Sequence, residues 1–356
     1  MYSLRRYILW IVPALLCVAC SGSVGTNPPP PQPLPSPGPP FVVGHGTLAV
    51  LDVANPKARQ IRLFHPGSTR EFATIVSPGE RYHPNSLAFD RRGHLYIGTN
   101  DTEGLGEYIV SEFRISDLER IREIHDLPRW NHSSVATDDQ NYLYVNTPAL
   151  LGGDIKIYSP NVDRKPFLEI KDFALPMTML PAPNLLWVAS QAIHGSFLDG
   201  YAVRSRMSKF SHSLRGVNAS KITVNSDGDG SLAAVFSQIA LSPDFMVAVY
   251  SQKSGFLKKI AEGRNLKAMV GDNANTIYVS ESSPGKVLQC DWQHCRDYLT
   301  TNSNDPVALA INPRNRNLYV ANRDAGNVTV YRPGETLPLL TINPSHFVPT
   351  ALAVEP

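Results

Sequence analysis

No acidic residue occurs in the first 51 positions, and only four cysteines occur in 356 residues. No apolar run is long enough to cross a bilayer as a helix. The longest, Tyr7–Ala19, has 13 residues, against about 20 needed to span. Charge is sparse at 18%. The formal charge of +2 belongs to Arg5 and Arg6, and from Asp52 onward 31 basic residues face 31 acidic ones. Without a basic tract there is nothing to neutralise a run of phosphates, which argues against nucleic acid as a partner. A hydrophobic content of 42% can build a core, and 24 Gly with 30 Pro point to strands and turns rather than helices. The length permits several ordinary domains or one large closed β architecture.

The N-terminus reads as an export address. Arg5-Arg6 precede the apolar run, which ends in Val18-Ala19-Cys20. A basic start, a short apolar stretch and small residues before a cut are the elements of a signal peptide. Val18-Ala19-Cys20 resembles a bacterial lipobox. That resemblance implies a signal peptide over residues 1–19, a lipidated N-terminus over 20–27 with Cys20 as the modified residue, and a membrane-anchored lipoprotein facing the periplasm or cell surface. Plain secretion after an ordinary signal peptide is the other reading. Residues 28–40 contain nine prolines in thirteen positions. Proline fixes φ and removes a donor, so this segment favours polyproline II. It would be a linker of roughly 40 Å.

Of the remaining cysteines, Cys290 and Cys295 flank Asp291-Trp292-Gln293-His294. A tight connection between two strands would bring them within disulfide reach, and an exported chain meets an oxidising compartment. The competing reading, a metal held by both thiolates and His294, lacks a second ligand cluster.

The body is repetitive. Short apolar cores recur at Leu48-Ala49-Val50, Leu95-Tyr96-Ile97, Leu143-Tyr144-Val145, Leu186-Trp187-Val188, Leu232-Ala233-Ala234, Ile277-Tyr278-Val279 and Leu318-Tyr319-Val320, spaced 41 to 48 residues apart. A period near 45 suits four short strands and their turns. All but the first core follow an apolar run and a polar turn, such as Ser86-Leu87-Ala88-Phe89-Asp90 and then Arg91-Arg92-Gly93. After each core a further strand is expected to carry an aromatic: Phe64, Phe113, Tyr158, Phe210, Tyr250, Trp292 and Tyr331. A fourth strand follows, such as Glu71–Val76. The fourth unit is expected to have a longer connection, from Gln191 to Tyr201. The first unit lacks its leading strand, and Thr350–Glu355 looks like a leading strand with no unit after it. Joining the two closes a ring and removes exposed edges. The expectation is an all-β, seven-bladed β-propeller of four-stranded antiparallel blades over residues 41–356, closed by the C-terminal strand and monomeric.

Pro306-Val307-Ala308-Leu309-Ala310 through Leu318-Tyr319-Val320-Ala321-Asn322 to Val328-Thr329-Val330-Tyr331 resembles the YVTN and NHL classes of propeller repeat, as does Pro84–Asp90 through Leu95-Tyr96-Ile97. These are core and turn positions, so they specify fold rather than function. Ligands of such rings would enter at the channel face. The loop residues expected there are Tyr82, His83, Asn85, Trp130, Asn131, His132, Asn146, Gln191, His194, Glu281, Asn322, Asp324 and His346. Aromatics beside His and Asn suit a protein, peptide or carbohydrate ligand. Surface polar residues are also commonly just solvated. Asn225-Ser226-Asp227-Gly228-Asp229-Gly230 begins like a calcium loop but lacks the later Glu, Phe236 standing twelfth. No Ser/His/Asp set emerges by spacing. The expected function is a binding or scaffold module without cofactor. The alternative, implied by gluconolactonase-like propellers, is a lactonase-like hydrolase requiring Ca²⁺ or Zn²⁺. The Glu that such a site would need in a leading strand is not evident.

Overall fold

In the computed structural model, the described residues are those from Gly46 to Pro356, less several short segments: 78–81, 102–106, 129–133, 150–151, 161–164, 173–174, 183–184, 193–194, 203–207, 215–216, 225–231, 240–242 and 273–274. The export signal, Cys20, the proline-rich segment and the calcium-like loop lie outside them. The described chain belongs to one compact unit, Val43–Pro356. Its strands form seven four-stranded antiparallel sheets.

Blade 1 contains β1 (Leu48–Asp52), β2 (Gln60–Phe64) and β3 (Glu71–Val76). Blade 2 contains β4 (Tyr82–Phe89), β5 (His94–Asp101), β6 (Glu107–Arg114) and β7 (Glu119–Pro128). Blade 3 contains β8 (Ser134–Thr137), β9 (Leu143–Ala149), β10 (Gly152–Tyr158) and β11 (Leu168–Asp172). Blade 4 contains β12 (Leu175–Pro181), β13 (Leu185–Ala192), β14 (Gly195–Ala202) and β15 (Ser208–Ser213). Blade 5 contains β16 (Val217–Val224), β17 (Leu232–Ile239), β18 (Phe245–Ser251) and β19 (Gly255–Gly263). Blade 6 contains β20 (Leu266–Gly271), β21 (Ile277–Glu281), β22 (Lys286–Cys290) and β23 (Cys295–Thr300). Blade 7 contains β24 (Pro306–Ile311), β25 (Leu318–Asn322), β26 (Asn327–Tyr331) and β27 (Leu340–Ile342). The last strand, β28 (Pro349–Val354), pairs with β1 and completes blade 1. The leading strands β28, β4, β8, β12, β16, β20 and β24 pack on one another in that cyclic order. They form the innermost wall of a closed ring.

The predicted repeat cores are the second strands. Their side chains alternate between the two faces of each blade, so both faces are apolar. As a result there is no single core. Seven clusters of buried residues sit one between each pair of neighbouring blades. Trp187, Tyr96 and Tyr144 are fully buried at the centres of their strands. The polar turn is explained as well. Asp90 Oδ1 accepts the backbone N–H of Arg92 and His94, and Asp90 Oδ2 accepts the Tyr96 hydroxyl at 3.1 Å. Asp138 does the same for Gln140, Tyr142 and the Tyr144 hydroxyl. One aspartate closes the turn and satisfies the phenol that the core buries.

Four expectations need correction. Gln191 to Tyr201 is not a long connection, because β13 and β14 pair in full from Leu185↔Ala202 to Ala192↔Gly195. Phe210 lies on the outer strand β15, and Tyr201 takes the third-strand position opposite Leu186. The cause is Gly200: a Cβ there would stand 2.1 Å from Phe210, so its absence admits that ring to within 4.7 Å of Trp187. Trp292 lies in the turn after β22, and Cys290 holds the position opposite Ile277. Cys290 and Cys295 face each other across the β22–β23 hairpin and form the expected disulfide, with Cα atoms 4.0 Å apart. Their sulfurs are therefore not available as metal ligands. In blade 5, Ala233 faces Tyr250, so Ala234 is the central residue of that core.

Candidate functional site

Strand direction alternates within every blade. The start of each leading strand, the end of each second strand and the turn into the third therefore share one face of the ring. The described candidates gather there. His83 and Asn85 lie half-buried at the start of β4. Asn146 is fully buried, and its Oδ1 accepts the backbone N–H of Ser134. Glu281 ends β21 and pairs with Lys286 at 3.3 Å. Asn322 is fully buried and donates to Val320 O, Asn327 Oδ1 and Thr329 Oγ1, while its own Oδ1 has no partner. Burial works against ionisation of Asp324, yet its carboxyl lies below the ordinary range. The Ser303 hydroxyl and the backbone N–H groups of Asn304, Asp305 and Ala325 outweigh that burial. His346 is exposed, with φ +53, and its carbonyl faces Arg62 at 3.4 Å. Tyr82 and Gln191 stand on strands at this face, but their side chains lie outside the described residues, as do Trp130, Asn131, His132 and His194 entirely.

The structure adds a feature that the list of loop residues missed. Six of the seven leading strands carry a bulge near this face. The residues skipped in the pairing register are Asn85, Met177, Ser220, Lys267, Val307 and Thr350. A bulge adds one residue, bends the strand and re-aims side chains. In four blades the preceding residue is proline: Pro84, Pro176, Pro306 and Pro349. Proline lacks the ladder donor that a bulge gives up, so the two belong together. In blade 6 the Ser280 hydroxyl accepts the Ala268 N–H at 3.0 Å just past the bulge. A recurring proline ahead of the apolar run was the sequence signal for this ring.

The wall itself has an unusual charge. The seven leading strands contain no Asp or Glu, but they hold Lys221, Lys267 and His83. Lys221 and Lys267 are exposed, while Ala219, Ile222, Leu266 and Met269 around them are buried. A leading strand is covered by its own blade and by both neighbours, so an exposed side chain on it opens on the channel. Protein surrounding the Lys221 ammonium disfavours its charged form and brings its pKa below the usual lysine range. Among the described residues, neither ammonium pairs with a carboxylate.

One cluster has metal-like spacing. Asp90, His94 and Glu112 bring ligand atoms within 4.8 Å of one another. It lies at the opposite face, by the turn between β4 and β5. Its carboxylates already have partners: Arg92 Nη2 to Asp90 Oδ2 at 2.7 Å and Arg122 Nε to Glu112 Oε2 at 2.7 Å. Tyr96 donates to both. Arg92 and Arg122 also reach Pro160 O and Ser159 O of blade 3. Two acids and two arginines neutralise each other, so this is an ion-paired joint between blades 2 and 3.

No family model matches the chain, and no curated protein does either. Solved structures of the same fold do match. A 6-phosphogluconolactonase candidate from Bacteroides uniformis aligns with TM-score 0.62 and 11% identity, over 87% of this chain and 98% of its own. A protein from Lactobacillus plantarum aligns with TM-score 0.61 and 13% identity, over 87% and 99%. The periplasmic gluconolactonase PpgL of Pseudomonas aeruginosa gives 0.57 and 12%, over 87% and 98%. At such identities the shared property is the fold: this chain is a seven-bladed propeller with structural neighbours among gluconolactonase-like and 6-phosphogluconolactonase-like rings.

Proposed function

We propose that this protein is a binding module of the bacterial cell envelope. It takes its ligand at the bulged mouth of the channel and is anchored to the membrane through Cys20. The observation that carries the reading is the charge of the wall. Seven leading strands without a carboxylate offer no anionic oxygen ligand for Ca²⁺ and no Glu for Zn²⁺. The one described cluster with metal spacing is occupied by arginines. Among the described residues, the inner wall therefore favours an anion over a divalent cation.

The second reading is a lactonase-like hydrolase, favoured by the names of the neighbouring folds. A melting screen of the full chain with Ca²⁺, Mg²⁺, Mn²⁺ and Zn²⁺, paired with glucono-δ-lactone hydrolysis followed by pH-stat, separates them. A ligand that binds only the native state raises the melting temperature. We expect no shift with any ion and no hydrolysis above buffer. A Ca²⁺- or Zn²⁺-dependent rise accompanied by chelator-sensitive turnover overturns the binding-module reading.

A further inference from the structure

The seven blades serve as internal controls for one another. Just past the bulge, one leading-strand position pairs with the residue two beyond the centre of the second strand. Its occupants are Ser86 (opposite Gly98), Ser134 (Asn146), Thr178 (Ala189), Ala268 (Ser280), Ala308 (Ala321) and Ala351 (Leu51). All six are small, as expected where seven strands converge. The seventh is Lys221, opposite Phe236. In the next blade the bulged position itself is Lys267. β16 and β20 are neighbours in the ring. Lys221 thus departs from the small residues of its position, Lys267 is the one ammonium at a bulged position, and both are exposed residues on adjacent inner strands.

Neither pairs with a carboxylate among the described residues. Lys286, by contrast, pairs with Glu281 and Asp297. Here two cations stand on neighbouring inner strands that supply no acid. A counter-charge from outside relieves both, and low-dielectric walls strengthen that attraction relative to bulk water.

We infer that Lys221 and Lys267 form an anion site at the channel mouth, and that the ligand is a compact small molecule bearing phosphate or paired carboxylates. This rests on the channel being the binding site. Lysine presents a point charge with three donors and binds either group. The smaller residues of the other blades leave the rest of the space for the ligand's neutral part.

The test is calorimetric titration of the full chain with pyrophosphate, citrate and glucose. The same titrations are run on Lys221→Gln, Lys267→Gln and the double arginine variant K221R/K267R. Two further variants, Val307→Trp and Thr350→Trp, add bulk at the bulged positions of inner strands in blades that carry no lysine there, and melting curves confirm that each variant is folded. We expect at least one anion to bind and glucose not to. Each glutamine variant should weaken the anion by about tenfold or more, the arginine variant should retain it, and either tryptophan should block it. Pyrophosphate without citrate assigns phosphate, and the reverse assigns carboxylates. If the tryptophans block binding but the glutamines leave it unchanged, the lysine site is overturned and the channel reading stands. If the glutamines weaken binding but the tryptophans do not, the channel reading is overturned and this inference with it. No binding of either anion up to millimolar concentration overturns the anion site alone.

Discussion

Replacing Arg122 with Met should destabilise the ring more than most single substitutions. The Arg122 side chain is 1% exposed and its partner Glu112 5%. Its Nε donates to Glu112 Oε2 at 2.7 Å, Nη1 reaches Ser159 O at 3.4 Å, and the guanidinium stands 5.9 Å from the centre of the Tyr158 ring. Methionine fills most of the space but leaves the Glu112 carboxylate buried. Its remaining cation, Arg92, is 3.5 Å away and engaged with Asp90. Removing one member of a buried pair costs about 3–5 kcal/mol. The Tyr96 hydroxyl and His94 still face Glu112, at 3.0 and 2.8 Å, which places the expected loss near the lower end, about 3 kcal/mol. Removing both charges in E112M/R122M should cost less than the two single changes added, because no orphaned charge is left. Urea unfolding followed by circular dichroism and tryptophan fluorescence reads all four proteins. An R122M protein within about 0.5 kcal/mol of the parent, or a double variant weaker than the sum, would refute the reasoning.

The disulfide closes a short loop, so reducing it should lower stability by about 2 kcal/mol on the chain-entropy account. Identical urea midpoints with and without a phosphine reductant would contradict this. Asp324 has a folded pKa below its unfolded value. Its contribution is therefore present above the unfolded carboxyl range and is lost as pH falls through the lower folded value. The urea midpoint of Asp324→Asn should fall less than that of the parent between neutral pH and about pH 3. Parallel losses would show that its partners do not stabilise the charged form.

The fold was legible because each blade repeats the same local instructions. An apolar run, an Asp- or Asn-bearing turn and a buried core recur near every 45 residues, and position along the repeat determines the strand. The readings that failed were places where one blade solved a packing problem across strands. Phe210 fills from the outer strand a space that other blades fill from the third, and only the missing Cβ of Gly200 shows why. The site was less legible. Loop position pointed to one face of the ring, and His83, Asn85, Asn322 and Asp324 do gather on it. It overlooked Lys221 and Lys267, because inner-strand residues lie inside the apolar run rather than in the loops. The proline that marks the bulge in four blades is Ala219 and Leu266 in the two blades that carry the lysines, so no proline flags them. The pairing offsets that define the bulges depend on hydrogen-bond register, which a periodic pattern does not specify.

The seam of blade 1 has a consequence for how the molecule comes into being. Thr47 and Glu355 bond across 308 positions of chain, and β1 finds its inner neighbour only in β28. Blades 2 to 7 can each form as the chain emerges, since their strands are consecutive. Blade 1 must wait with an open edge until synthesis has passed residue 354. Contacts so distant in sequence are slow to form, and an unpaired edge is an opportunity for misassembly. Ring closure therefore depends on the last strand of the chain meeting the first.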